Sequence, residues 1–314
     1  MALRILVVGG TGLLGHHVVT ELLGRGHLVT VLARRPGPVT GHGGRVEVRT
    51  GDIRACADPA ALLRGHDGVV FAAGADDRAV PPAPAYPYFE AGNVTPVARL
   101  TAGAARAGCG RAVVLGSYFT ALHRRWPRLE LAARHPYIRS RVEQARAARG
   151  AAAVLEIPFV FGCAPGRTPL WAPLFPWLRS PSPLVAPPGG TAVVTARTVA
   201  RAASGALEQG ATGPYPVVDE NLSWAALLGR LARAAGRPRT VHRLPPSLLG
   251  AGLRAVGAVH AARHREAGLH LGSLGDLLTR ELFLDPAAGR TLTGGSGSVE
   301  EALAATVRGC GAGR

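Results

Sequence analysis

The chain has 314 residues, of which 47% are hydrophobic and 18% charged, with a formal net charge of +16. That balance excludes a disordered or fibrous chain and allows one large or two modest domains. All 36 basic residues are arginine, and they are scattered without a basic tail or interleaved aromatics, which argues against a nucleic-acid partner and suits an anionic small molecule. Leu3 to Val8 reads as a buried strand that breaks into Gly9-Gly10-Thr11-Gly12-Leu13-Leu14-Gly15 and a helix carrying Val18, Val19, Leu22 and Leu23. Further strands are predicted at His27–Leu32, Val46–Val48, Gly68–Ala73, Arg111–Leu115 and Ala152–Leu155. Helices are predicted at Pro59–Arg64, Asn93–Ala107 and Tyr137–Arg149. Residues 163–194 are rich in Pro, Trp and Gly. Beyond them a helix is read at Thr198–Glu208, a strand at Tyr215–Val218, and helices at Ser223–Ala235, Pro246–Ala262 and Ser298–Val307.

Strands alternating with helices predict an α/β fold, a Rossmann-type doubly wound parallel sheet with helices on both faces. Residues 1–162 form the expected nucleotide-binding domain, joined by a segment returning near 195–218. Residues 163–314 form a smaller, mostly helical substrate-binding part over the carboxyl ends of the strands. No apolar run reaches the length of a membrane span, and no secretory leader is read at the N-terminus. The expectation is therefore a cytoplasmic protein without a membrane partner. Cys56, Cys109, Cys163 and Cys310 are far apart and lack metal-ligand spacing, so free thiols and no metal site are expected.

The glycine turn carries the strongest signal. Gly9 permits a tight turn, Gly12 lets the backbone approach a pyrophosphate, and Gly15 lets the helix pack close to the strand. Thr11, Leu13 and Leu14 complete that loop. At the end of the second strand stands Ala33-Arg34-Arg35, where a carboxylate would select NAD. A basic residue there accommodates the 2′-phosphate of NADP instead, so NADP is expected, with NAD as the alternative. Asp52 and Ile53 follow the third strand; Asp52 is read either as an acceptor for the adenine amino group or as a turn cap. Ala72-Ala73-Gly74 ends the fourth strand with residues small enough for a cofactor to lie against.

Tyr137 and Arg141 share one helix face. A cation one turn away is expected to lower the tyrosine pKa and fit it for proton transfer at a carbonyl or alcohol. Ser117 ends the fifth strand at the same sheet edge. His135 is a second acid/base candidate, weighed against a capping role, and His123 lies nearby in sequence. Asp76 and Asp77 are read as a solvated turn or a substrate contact. Tyr118, Cys163 and Trp171 are candidates for an apolar substrate lining, with the core of the smaller part as the alternative for Cys163 and Trp171.

In order, Gly9-x-x-Gly12-x-x-Gly15, Gly51-Asp52, Ala72-Ala73-Gly74, Asn93-Val94, Gly116-Ser117, Tyr137-x-x-Ser140-Arg141 and Leu155-x-Ile157-Pro158-x-Val160-Phe161-Gly162 span nearly the whole chain. This series resembles the extended short-chain dehydrogenase/reductase superfamily, in its NAD(P)-dependent epimerase/dehydratase branch. The resemblance implies that Tyr137 is the acid/base and that Ser117 orients the substrate oxygen. It puts Arg141 in the place of a lysine that grips the nicotinamide ribose, Pro158 beside the nicotinamide, and Asn93 at the start of the helix behind the site. Arg141 and Glu156 depart from the family pattern, which has lysine and arginine there. The expected activity is NADP(H)-dependent reduction of a carbonyl, or oxidation of the alcohol, on a small apolar metabolite. The alternatives are an epimerase or dehydratase without net cofactor turnover and a non-catalytic NADP sensor. A homodimer through the helices at 93–107 and 137–149 would match the family habit.

Overall fold

The computed structural model describes residues 1–35 and 46–311. Its strands are β1 (Arg4–Val8), β2 (Leu28–Ala33), β3 (Val46–Thr50), β4 (Gly68–Phe71), β5 (Arg111–Leu115), β6 (Ala153–Glu156), β7 (Phe159–Phe161), β8 (Leu184–Ala186), β9 (Gly190–Thr195), β10 (Gly213–Pro216), β11 (Glu220–Ser223), β12 (Val241–Arg243) and β13 (Glu281–Leu282). Between them run α1 (Leu13–Gly24), α2 (Pro59–Leu63), α3 (Tyr86–Phe89), α4 (Thr95–Ala107), α5 (Phe119–Arg125), α6 (Leu131–Arg134), α7 (Pro136–Ala147), α8 (Phe175–Arg179), α9 (Ala196–Gln209), α10 (Trp224–Ala234), α11 (Pro246–Ala262) and α12 (Leu271–Leu278). Helices α13 (Arg290–Thr293) and α14 (Val299–Gly311) close the chain.

Seven parallel strands form the main sheet in the order β10-β6-β5-β4-β1-β2-β3. The strand order reverses beside β1, and such a switch point opens a crevice at the carboxyl ends of the strands. Both faces of β1 are buried, which accounts for its unbroken apolar run. Ile5 and Val7 join the core under α1 and α9, while Leu6 and Val8 join the core under α2 and α4. Beyond residue 163 the chain adds β10 to this sheet beside β6, with Tyr215 opposite Leu155.

Residues 163–314 carry helices α8 to α14 and strands besides: β9, β11 and β13 build a mixed four-stranded sheet with β7 from the preceding segment, and β8 pairs with β12. Two elements differ from expectation. The helix read from Asn93 begins earlier, at Tyr86. Asn93 lies inside a π-helical turn, Glu90–Val94, between α3 and α4. Finally, α5 follows β5 directly, in a stretch where no helix is predicted. Its buried residues, Phe119, Thr120 and Leu122, pack against α7 and β6, contacts that no local pattern shows.

Candidate functional site

A cleft of about 640 Å³ follows the carboxyl ends of β1, β2 and β4, a size suited to a small-molecule site. Gly9, at φ +86°, turns the chain where any Cβ would strike the backbone of Ala72 and Ala73 at 3.0 and 2.9 Å. A Cβ on Gly15 would lie 2.1 Å from the Gly9 carbonyl oxygen, so that position packs helix on strand. A Cβ on Gly12 would touch only that same oxygen, at 3.4 Å, and Gly12 faces the cleft. Gly12 caps α1 without a side-chain bond. The first-turn N–H groups of Leu13, Leu14 and Gly15 therefore have no intrahelical acceptors, which suits a phosphate. Leu13 and Leu14 contribute backbone to this site; their side chains pack on the core.

Sequence reasoning missed Arg167. From the Pro-rich segment its guanidinium reaches over the glycine loop, Nε donating to the Thr11 carbonyl at 2.7 Å and Nη2 to Thr11 Oγ1 at 3.1 Å. It lines the cleft, and among the described residues no carboxylate pairs with it. A 156-residue separation hides such a contact from any local motif.

At the far end, Arg34, Arg35, Asp52 and Ile53 line the cleft together with Arg54. Both Asp52 oxygens are held by Arg54 Nε, at 3.1 and 3.0 Å, and Oδ1 also caps the turn at the Arg54 N–H. The turn-cap role is thus the one seen. Arg54 and the nearby Arg34 help hold the Asp52 carboxyl below its usual range, the side-chain bond to Arg54 contributing most. Arg34 and Arg35 are exposed and have no acidic partner among the described residues. Ala72, Ala73 and Gly74 line the floor.

Behind Ala75 the chain brings Ser117, Tyr137 and Arg141 together. Pro136 starts α7, and the Tyr137 N–H donates to the Gly268 carbonyl at 2.9 Å, so the second lobe caps the helix. Only glycine fits at 268, where a Cβ would meet the Phe89 ring at 2.5 Å and Tyr137 Cβ at 3.0 Å. Asn93 is fully buried and ties this region: its Oδ1 accepts from the Ala75 N–H at 2.9 Å, and its Nδ2 donates to Ser140 Oγ at 3.0 Å. Arg141 donates from Nη1 to Gln144 at 3.0 Å and from Nη2 to the Ala75 carbonyl at 3.2 Å. Its Nε is buried and unpartnered, and its guanidinium lies 5.1 Å from the Tyr137 ring centre.

The Tyr137 phenol departs from expectation. Burial pushes its pKa up and the charge of Asp77 adds to that, outweighing the downward pull of Arg141 and of the bonds from Arg141 and Ser117. The protonated phenol is the form this site holds. Asp77 is itself shifted up, by burial first and by Asp76 second. Asp76 is paired with Arg78 instead. The two acids therefore shift in opposite directions, Asp77 up and Asp76 down.

Other candidates are placed elsewhere. Tyr118 is buried with its hydroxyl 3.2 Å from Thr191 Oγ1. Trp171 stacks on Phe161 at 5.0 Å and donates to the Val160 carbonyl at 2.9 Å. The Cys163 carbonyl is bonded by His17 at 2.9 Å. These three pack the second lobe or its border with α1. Pro158 is buried between β6 and β7 and does not line the cleft. Glu156 is explained by partners the sequence does not show: fully buried, it accepts from Thr120 Oγ1 at 2.5 Å and pairs with Arg124 at 2.7 Å.

His135 is a structural group. It is buried, its Nδ1 accepts from the His270 N–H at 2.9 Å, and burial above all drives its pKa down to about 4. The unfolded imidazole, near 6.5, binds a proton that the folded one refuses. Stability is therefore expected to fall as pH drops from about 6.5 to about 4, by up to about 3 kcal/mol from this group. Urea midpoints across that range should drop less steeply in His135→Gln than in the wild type. Parallel lines would remove His135 from the account.

Residues 9–155 match the family model described as NAD(P)H-binding. No curated protein sequence matches the chain. Among solved structures, that of gox2253 covers 97% of both chains at a TM-score of 0.76 and 18% identity. The WbmH enzyme of Bordetella bronchiseptica, solved in complex with NAD+, covers 100% of both at 0.73 and 15% identity. UDP-N-acetylglucosamine 4-epimerase from Bacillus cereus covers 98% of this chain and 99% of its own at 0.66 and 14% identity. At these identities the likeness is one of fold.

Proposed function

From the premise that this chain has the extended short-chain dehydrogenase/reductase fold with an NAD(P)H-binding domain, we propose that it is an NADP(H)-dependent reductase of a small apolar carbonyl compound. The observation that carries this reading is the buried, protonated Tyr137 phenol beside Ser117 and Arg141, behind the part of the cleft wall that Ala75 forms. A nicotinamide bound in that cleft supplies hydride chemistry. Tyr137 donates its proton to the carbonyl oxygen as charge develops there. The Ser117 hydroxyl donates a hydrogen bond to the same oxygen. Arg141 stays positive and stabilises the phenolate left behind, its unpartnered Nε being the donor available for a ribose hydroxyl. A neutral phenol at Tyr137 is the form that gives up a proton in the reductive direction.

The glycine loop and Arg167 hold the pyrophosphate, and Arg34 takes the 2′-phosphate. Fluorescence titration is expected to show Arg34→Gln weakening NADPH by about tenfold and leaving NADH unchanged, since only one of them carries the extra phosphate. Arg167→Gln should weaken both by a similar factor of about tenfold, since both carry the pyrophosphate. If Arg34→Gln weakens the two cofactors equally, the NADP assignment is lost.

Epimerase or dehydratase chemistry is the second reading. It is favoured by the likeness to folds such as UDP-N-acetylglucosamine 4-epimerase. Steady loss of NADPH absorbance with a panel of aldehydes and ketones supports the reductase; turnover without it supports the epimerase. Four unpaired cysteines support a reducing compartment such as the cytoplasm.

A further inference from the structure

Helix α11 is apolar on almost every side, yet none of its 17 residues is buried. Leu248 is 62% exposed, Val256 48% and Val259 49%. A helix of that composition ordinarily lies in a core or against another surface. Leu253 and Gly257 turn toward α12, where they approach Gly275 and Leu271. Leu248, Ala251, Ala255, Ala258, Val259 and Ala262 share the opposite, exposed face, with no charge among them.

We propose that this face docks on the surface of an anionic phospholipid membrane, with α11 lying in the headgroup region. Charge selects this occupant. From Val241 to Leu278 there are four arginines, Arg243, Arg254, Arg263 and Arg265, against two carboxylates, Glu266 and Asp276. Of these, Glu266 is already taken by the Ala85 N–H at 2.7 Å. Arginines stand beyond both ends of the apolar helix, the pattern of an interfacial helix on anionic lipid. A second copy packed on the same face would set Arg243 against Arg263 and Arg265, or like against like, in either orientation. Beside the helix a groove of about 300 Å³ is lined by Arg254, His260, Arg265 and His270, with Glu266 as its one carboxylate. His260 Nδ1 is buried there without a partner. Such a groove takes a headgroup phosphate.

Among the described residues no helix is long and apolar enough to cross a membrane. At about 26 Å, α11 falls short of the roughly 30 Å hydrocarbon core, so it lies on the bilayer and does not span it. An apolar helix of this length contains no span-length run, so a membrane partner is not expected from the sequence. The docked segment is also tied to the catalytic helix: Gly268 accepts from the Tyr137 N–H at 2.9 Å, and the His270 N–H donates to His135 at 2.9 Å. Docking there would deliver a bilayer-dissolved substrate to the tyrosine. That delivery rests on the reductase reading, whereas membrane binding itself does not.

The test is co-sedimentation of the full chain with vesicles of phosphatidylcholine alone or with about 30% phosphatidylglycerol. Most of the protein is expected to pellet with the anionic vesicles and little with the neutral ones. Leu248→Ser with Val259→Ser should lower the bound fraction about tenfold, and Arg254→Gln with Arg263→Gln should lower it on anionic vesicles alone. All four positions are surface sites, so thermal melting and NADPH affinity are expected to stay at wild-type values. That keeps failure here separate from failure of the cofactor reading. Wild-type protein left in both supernatants would overturn the proposal. So would equal binding to both vesicles, or a solution dimer that Leu248→Ser with Val259→Ser dissociates.

Discussion

Replacing Tyr137 by phenylalanine is expected to lower kcat for NADPH-dependent carbonyl reduction by about three orders of magnitude, with cofactor affinity within about twofold of wild type. The ring stays, so the contacts to Phe89 and Phe119 stay, at 5.7 and 6.1 Å between centroids. Only the hydroxyl is removed, and with it the proton donor. Because Tyr137 lies behind the cleft lining, the loss should fall on kcat and leave the cofactor dissociation constant unmoved. The pH profile adds a second readout. Burial and Asp77 hold the wild-type phenol above its ordinary value. Reduction should therefore persist to higher pH than an unperturbed tyrosine would allow, and Asp77→Asn should bring that limb down. Unchanged turnover in Tyr137→Phe would leave the cofactor-binding sensor as the surviving reading.

The second large effect concerns stability. Gly15→Ala is expected to cost about 3 kcal/mol or more, because the new Cβ would sit 2.1 Å from a backbone oxygen and 2.7 Å from Gly10 Cα. No side-chain rotation relieves a clash with backbone. Either α1 moves off β1 or the glycine loop opens, and both also disturb the N–H groups facing the cleft. Gly24, in the same helix, has nothing within 4 Å of its would-be Cβ, so Gly24→Ala should be neutral or stabilise by about 0.5–1 kcal/mol. Urea unfolding of the pair, with NADPH titration at each, checks both. Equal midpoints would mean that the tight strand–helix packing at Gly15 is not there.

Much of the nucleotide-binding half was legible because its signals are local. A strand buried on both faces must be apolar over its buried length, and β4 is, as are β1 and β5 past their leading arginines. The roles read for Gly9 and Gly15 follow from backbone geometry alone, which is why the φ of +86° and the 2.1 Å approach meet expectation. The helix around Asn93 was less legible. Its apolar face pointed to the right register, but the π turn depends on Asn93 bonding Ala75 and Ser140, residues 18 and 47 positions away. Tyr118 and Trp171, which pack in the interior here, were ambiguous because an aromatic residue reads the same in a sequence whether it walls a site or fills a core.

By itself the sequence determined the parallel sheet, the glycine turn at its switch point and the set of residues from which a site could be made. Periodicity, β-branching and glycine conformation act within a few residues and need no partner. Only the tertiary structure decided which of those residues meet, and in what state. Tyr137 is held protonated because burial and Asp77 outweigh the cation one turn away. Glu156 is tolerated because Thr120 and Arg124 close over it. Arg167 belongs to the cleft because the second lobe folds back across the glycine loop. Electrostatics, desolvation and packing fall off with distance in space, and distance in space is what a linear pattern does not carry.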